Sequence, residues 1–160
     1  MGGFEFYNTG FEAIFAGLFA AMLAQLIKVV TYLCTHKKIN FKIFTTTGGM
    51  PSSHTAGVIA LSTSVALIEG IDSMLFAVSI GFSLVIMQDA AGLRRAAGKT
   101  AATLNRLVDE FVQKNQEVKP YAVLKELLGH TPLEVFCGMI LGILVSLIVH
   151  NFNYIIALCS

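Results

Sequence analysis

Long apolar runs alternate with short polar ones along this chain, and the alternation sets the elements. Residues 1–10 form a short polar lead. From Phe11 to Cys34 only Glu12, Gln25, Lys28 and Thr31 are clearly polar, and the run is long enough to cross a bilayer. His36, Lys37 and Lys38 end it, and residues 39–50 follow as a loop with Lys42, Thr45, Thr46, Thr47, Gly48 and Gly49. A second run extends from Pro51 to Ile68, where proline suits the first position of a helix. Glu69-Gly70-Ile71-Asp72 reads as a tight turn, and a third run extends from Ser73 to Ala91.

The pattern then changes. Residues 92–130 are rich in Lys and Arg, and within them Leu104, Leu107, Val108, Phe111 and Val112 recur at helical spacing. This predicts an amphipathic helix over 101–118, ended by Lys119-Pro120, lying at the membrane surface or against the loops. A lid, a lipid-surface anchor and a dimer contact are its candidate roles. The last run opens at Thr131-Pro132 and continues to His150, or on to Leu158. The expected fold is all-α: one domain over 1–160, an integral membrane bundle of about four transmembrane helices (11–34, 51–68, 73–91 and 131–150) plus a cytoplasmic segment at 92–130.

Composition agrees with the pattern. Of 160 residues, 55% are hydrophobic and 13% charged, against roughly 25% charged in an ordinary soluble domain. The lead carries acids and no basic stretch, and its apolar run is too long for a signal peptide. Cys34, Cys137 and Cys159 show no metal or redox spacing and read as packing residues. No cofactor and no nucleic-acid partner are expected.

Charge sets the expected orientation. All eleven Lys and Arg fall between runs one and two, between runs three and four, or, for Lys28, in the run leading there. Glu5, Glu12, Glu69 and Asp72 fall on the other side. The positive-inside rule makes the basic side cytoplasmic and, with four spans, puts both termini outside.

The candidate chemistry gathers on the basic side. Gly49-Met50-Pro51-Ser52-Ser53-His54 is a turn entering a helix, where free N–H groups and the helix dipole suit an anion such as phosphate. Lys28 closes run one, Asp89, Arg94 and Arg95 close run three, and His130 and Glu134 open run four. Each residue also has a structural reading. Lys28 could snorkel to the interface, Arg94 and Arg95 could set topology or touch anionic lipid, and Asp89 could be a counter-ion for one of them. Ser52 and Ser53 could cap the second helix. Thr131-Pro132-Leu133-Glu134 has the form of a capping box, with Glu134 at its third position. A zinc held by His130, Glu134 and His54 is the rival chemistry, but the cations beside it suit an anion better.

These residues resemble the type-2 phosphatidic acid phosphatase superfamily, and more closely its divergent bacterial and plastid branch, related to acid phosphatases and vanadium-dependent haloperoxidases. The superfamily motifs are K-x6-R-P, P-S-G-H and S-R-x5-H-x3-D. Pro51-Ser52-Ser53-His54 is similar to the second, with serine for glycine, and His130 to Glu134 is similar to the end of the third as H-x3-E. Lys28 stands for the lysine of the first. No Arg-Pro follows Lys28 and no Ser-Arg precedes His130; the basic run from Asp89 to Gly98, with Arg94 and Arg95, looks like the branch's own motif.

The resemblance implies a metal-independent lipid phosphatase. His130 would attack phosphorus to form a phosphohistidine, with Glu134 orienting its ring and His54 protonating the leaving group. Lys28, Arg94, Arg95, Ser52, Ser53 and the backbone near Gly49 would hold the phosphoryl oxygens. The implied partner is a membrane phospholipid or polyprenyl phosphate. A non-catalytic phospholipid-binding or translocating protein that keeps the anion site is the alternative. Gly138-x3-Gly142 suits close helix packing, within the bundle or across a homodimer.

Overall fold

A computed structural model describes residues 6–37, 49–114 and 129–159 of the chain. Among the described residues five α-helices make the fold: α1 (Gly10–His36), α2 (Ser53–Glu69), α3 (Met74–Gln88), α4 (Arg94–Lys114) and α5 (Pro132–Cys159). A π-helical stretch, Asp89–Leu93, joins α3 to α4. Lys42, Thr45, Thr46, Thr47, Gly48, Lys119, Pro120, Lys125 and the stretch 115–118 lie outside the described residues.

Helix α2 is the hub. It packs against α1, α3 and α5, while α1 and α5 also touch each other. The contacts are made by small side chains. Ala16, Ala20 and Ala24 of α1 meet Ala56 and Ala60 of α2 and Val145 and Val149 of α5 in one buried cluster. Small residues let helix backbones approach, which is how helices associate where lipid removes the hydrophobic drive between them. A side chain on Gly17 would meet the Gly57 carbonyl at 3.1 Å. Gly138 and Gly142 face α2: a Cβ on either would lie 2.5 Å from a backbone oxygen, that of Ser52 or of Ala56. The Gly138-x3-Gly142 seam is therefore used inside the bundle and is not free to form a dimer.

The outer surface inverts the soluble pattern. Phe11, Leu18, Met22, Val78, Val85, Phe136 and Ile148 are all exposed, whereas the buried polar set includes Ser62, Ser64, Ser83 and Ser146. Those serines are satisfied between helices: Ser62 Oγ pairs with Ser83 Oγ and Ser64 Oγ with Ser146 Oγ, each at 2.8 Å. Large apolar groups outside and paired hydroxyls inside fit a lipid solvent.

By length and composition, Gly10–Thr35, Met74–Val112 and Pro132–Ile156 could each cross a membrane. The 17 residues of α2 rise about 26 Å, slightly less than a hydrocarbon core of about 30 Å. It is the helix enclosed by the others.

Two boundaries differ from the expected ones. Helix α2 starts at Ser53 with Ser52 as its N-cap, so Pro51 precedes the helix and does not open it. The third span does not end at Ala91: α3, the π stretch and α4 form one uninterrupted helical path. The segment 94–114 continues span three directly, because Ala, Leu and Arg favour helix and single glycines at 92 and 98 do not stop one. Helix α5 takes the longer of its two expected ends, running past His150 to Cys159.

At the end of the bundle where α1 begins, Glu12 is fully buried. It accepts the N–H of Asn8 at 2.8 Å and lies 2.7 Å from His150 Nδ1. This pair ties the start of α1 to the last third of α5, opposite the cluster described next.

Candidate functional site

The site forms where the N-terminus of α2, the π stretch and the lead into α5 converge. Backbone bonds hold the three together. Ser52 N–H donates to the Glu134 carbonyl at 3.0 Å, and His130 N–H donates to the Ala90 carbonyl in the π stretch, also at 3.0 Å. Gly129 makes the second junction possible: a Cβ there would lie 2.3 Å from the Arg95 nitrogen.

His130 is 2% exposed. Its Nδ1 lies 3.0 Å from Glu134 Oε2. The same carboxylate oxygen accepts the Thr131 N–H at 3.0 Å, and Glu134 N–H donates to Thr131 Oγ1 at 3.3 Å. Glu134 therefore caps α5 and orients the histidine at once. A carboxylate at Nδ1 fixes that nitrogen as the protonated one and leaves Nε2 with a lone pair. His130 Nε2 is buried and, among the described residues, has no hydrogen-bond partner. Burial pushes the imidazole below its ordinary pKa; the hydrogen bond to Glu134 opposes this, and the Lys28 charge adds to it.

A small pocket opens beside this ring, lined by His54, Ile86, Asp89, Ala90, Arg94 and His130. The cavity is small, about 30 Å³. His54, in the first turn of α2, is exposed. Arg94 Nε lies 2.7 Å from Asp89 Oδ2, with both side chains partly exposed. The π stretch sets this pairing: Arg94 N–H bonds to the Asp89 carbonyl five residues back, so the two side chains meet over the pocket.

The remaining candidates stand around this centre in different ways. Lys28 is 4% exposed, and among the described residues its Nζ has no hydrogen-bond partner. A buried ammonium of this kind is a candidate contact for an ion or substrate. Gly49, at φ 93°, lies over the lysine stem, where a Cβ would be 3.8 Å from Cδ. Ser52 is fully buried; its Oγ accepts from Thr55 N at 3.4 Å and Thr55 Oγ1 at 3.1 Å. It serves as the cap of α2 and does not line the pocket. Ser53 is buried too, and nothing in the structure explains serine at that position. Arg95 does not line the pocket, and its backbone packs on Gly129. Among the described residues no group of three or more His, Cys, Asp or Glu is placed to hold a metal ion.

Sequence reasoning missed Ile86 and Ala90 as pocket walls and Gly129 as the residue that delivers His130. A glycine immediately before a candidate histidine was the available signal for the last.

A family model described as the divergent PAP2 family matches residues 10–145. The chain is similar to the uncharacterized membrane protein YuiD of Bacillus subtilis (strain 168). The two are 45% identical over 148 residues, covering 87% of this chain and 94% of the other. No solved structure matches the chain.

Proposed function

Because this chain belongs to the divergent PAP2 family, we propose that it is a membrane lipid phosphatase that works through a phosphohistidine on His130. The substrate is a lipid phosphomonoester or diphosphate: phosphatidic acid, phosphatidylglycerophosphate or a polyprenyl diphosphate. The observation that carries this reading is the His130–Glu134 pair, with Nδ1 committed at 3.0 Å and Nε2 buried without a partner among the described residues.

The chemistry follows from the side chains. The Nε2 lone pair of His130 attacks phosphorus, and the bond from phosphorus to the leaving oxygen breaks. His54, across the pocket, donates the proton that the leaving oxygen needs. Glu134 stabilises the positive charge that develops on the imidazole. The guanidinium of Arg94 meets the equatorial oxygens, and the Lys28 ammonium adds positive charge to the site. Water then attacks the phosphohistidine and releases phosphate. Arg94, and not Arg95, is the arginine that meets phosphate in this reading. The cationic surroundings favour an anion over a bare divalent metal. With all Lys and Arg on one side of the sequence, the site faces the cytoplasm and both termini lie outside.

A second reading has support from the motif departures: neither Arg-Pro after Lys28 nor Ser-Arg before His130 is present. In that reading the chain binds or moves a phospholipid without cleaving it. Phosphate release from a panel of lipid phosphates, in detergent with a chelator present, separates the two. The phosphatase reading expects release by the wild type, abolished in His130→Ala and reduced in His54→Ala. Tight lipid binding with no release from any substrate would favour the second.

A further inference from the structure

An acid stands in this pocket. Asp89 lines it together with Arg94 and both histidines, and its Oδ2 holds Arg94 Nε at 2.7 Å. A carboxylate opposes the binding of a phosphate dianion, so its presence calls for a physical account. Two features supply one. The Asp89–Arg94 bond uses a single guanidinium donor, leaving the terminal Nη donors for an anion. The pocket is also small, about 30 Å³, and it is partly open to solvent at Arg94 and Asp89. The Arg94 side chain is one of the exposed walls of the pocket, so it has room to shift as an anion enters.

We infer that Asp89 is a positioning residue that sets the orientation of Arg94 and competes with phosphate for it. In the empty site Asp89 neutralises Arg94 and holds the plane of its guanidinium over the pocket. An entering phosphoryl group shares the arginine through Nη. After hydrolysis, Asp89 draws the arginine back and weakens the hold on free phosphate. The π stretch supports this exchange, since it places Asp89 and Arg94 five residues apart on one helical path. This inference rests on the phosphatase reading above.

It makes Asp89 a residue whose removal moves affinity and turnover in opposite directions. Losing the acid relieves repulsion of the anion, which is worth about tenfold or more for a close charge in a partly buried site. Losing the orientation of Arg94 costs rate.

The test uses the full-length protein in detergent. Binding of inorganic phosphate and of vanadate is measured by calorimetry for the wild type, Asp89→Asn, Asp89→Ser and Asp89→Asn/Arg94→Gln. Turnover on a lipid phosphate is measured alongside. Asp89→Asn should bind both anions about tenfold more tightly while its kcat falls about tenfold. The double variant should lose the gain in affinity. Asp89→Ser, which keeps a small polar side chain, should repeat the split if Asp89→Asn folds poorly. Equal or weaker anion binding in both single variants overturns the inference and leaves the phosphatase reading standing. Absence of phosphate and vanadate binding by the wild type overturns the anion site itself, and this inference with it.

Discussion

His130 Nδ1 and Glu134 Oε2 lie 3.0 Å apart across one turn at the start of α5. That oxygen also caps the helix by accepting the Thr131 N–H. The two duties are separable. Glutamine serves at the third position of a capping box, so Glu134→Gln should leave unfolding within about 1 kcal/mol of wild type. It removes the charge that supports the imidazolium, and turnover should fall by about 10²- to 10⁴-fold. Thermal unfolding and lipid-phosphate turnover on the same preparation check this. Equal losses of stability and activity would leave Glu134 a cap only.

The pH profile reads the environment of His130. Burial is the main cause that lowers its pKa; the Lys28 and Arg94 charges act in the same direction, and Glu134 acts against them. Attack requires the neutral ring. The His130 limb of the kcat/KM profile should therefore fall as pH drops through a value below the ordinary histidine value of about 6.5, while the proton required on His54 sets a separate limb at higher pH. Arg94→Gln removes a lowering influence and should move the acid limb of kcat/KM to higher pH. Glu134→Gln removes a raising one and should move it to lower pH. An acid limb fixed at one pH in all three proteins would detach it from His130.

His54 faces the same pocket as His130, and its assigned task is proton donation to the leaving oxygen. The need for that proton depends on the leaving group. His54→Ala should slow lipid alkoxide departure by about 10²- to 10⁴-fold. With p-nitrophenyl phosphate, whose leaving group departs without help, the loss should be several-fold at most. Equal losses on both substrates would contradict a general-acid role.

Gly138 sets how closely α5 approaches the head of α2. A methyl group there would lie 2.5 Å from the Ser52 carbonyl oxygen. Backbone cannot move aside cheaply, so Gly138→Ala should cost about 1–3 kcal/mol. It should also weaken activity, because Ser52 N–H and the Glu134 carbonyl share this junction. Gly81, whose added Cβ would meet nothing within 4 Å, is the control: Gly81→Ala should leave both unchanged. Unfolding in detergent and turnover are the measurements.

Much of this was legible in the chain because the signals were local. Apolar runs marked α1, α3 and α5, and the Thr131 to Glu134 pattern located the start of α5, whereas Glu134 as the partner of His130 came from the resemblance in the H-x3-E spacing. Other features depended on contacts that no local pattern carries. The change from apolar to basic at Asp89 reads as a boundary, yet charge does not break a helix, and the path continues through the π stretch to Lys114. That Arg94 and not Arg95 lines the pocket goes with the five-residue bonding of that turn, which no local pattern announces. Ser52 fits a phosphate ligand by type, but its place as N-cap buries it. Glu12 and His150 are 138 residues apart, and only folding brings them to 2.7 Å. Their presence inside two spans was the one hint that each needed a partner.

The central claim is that His130 carries the phosphoryl group. Rapid quenching of the wild-type protein with a labelled lipid phosphate tests it most directly, followed by mapping of any acid-labile, base-stable phosphoprotein. The account predicts label on His130 in wild type, accumulation of that label where hydrolysis is slowed, and none in His130→Ala. Phosphate release by His130→Ala at the wild-type rate, or label mapped to another residue, would contradict it.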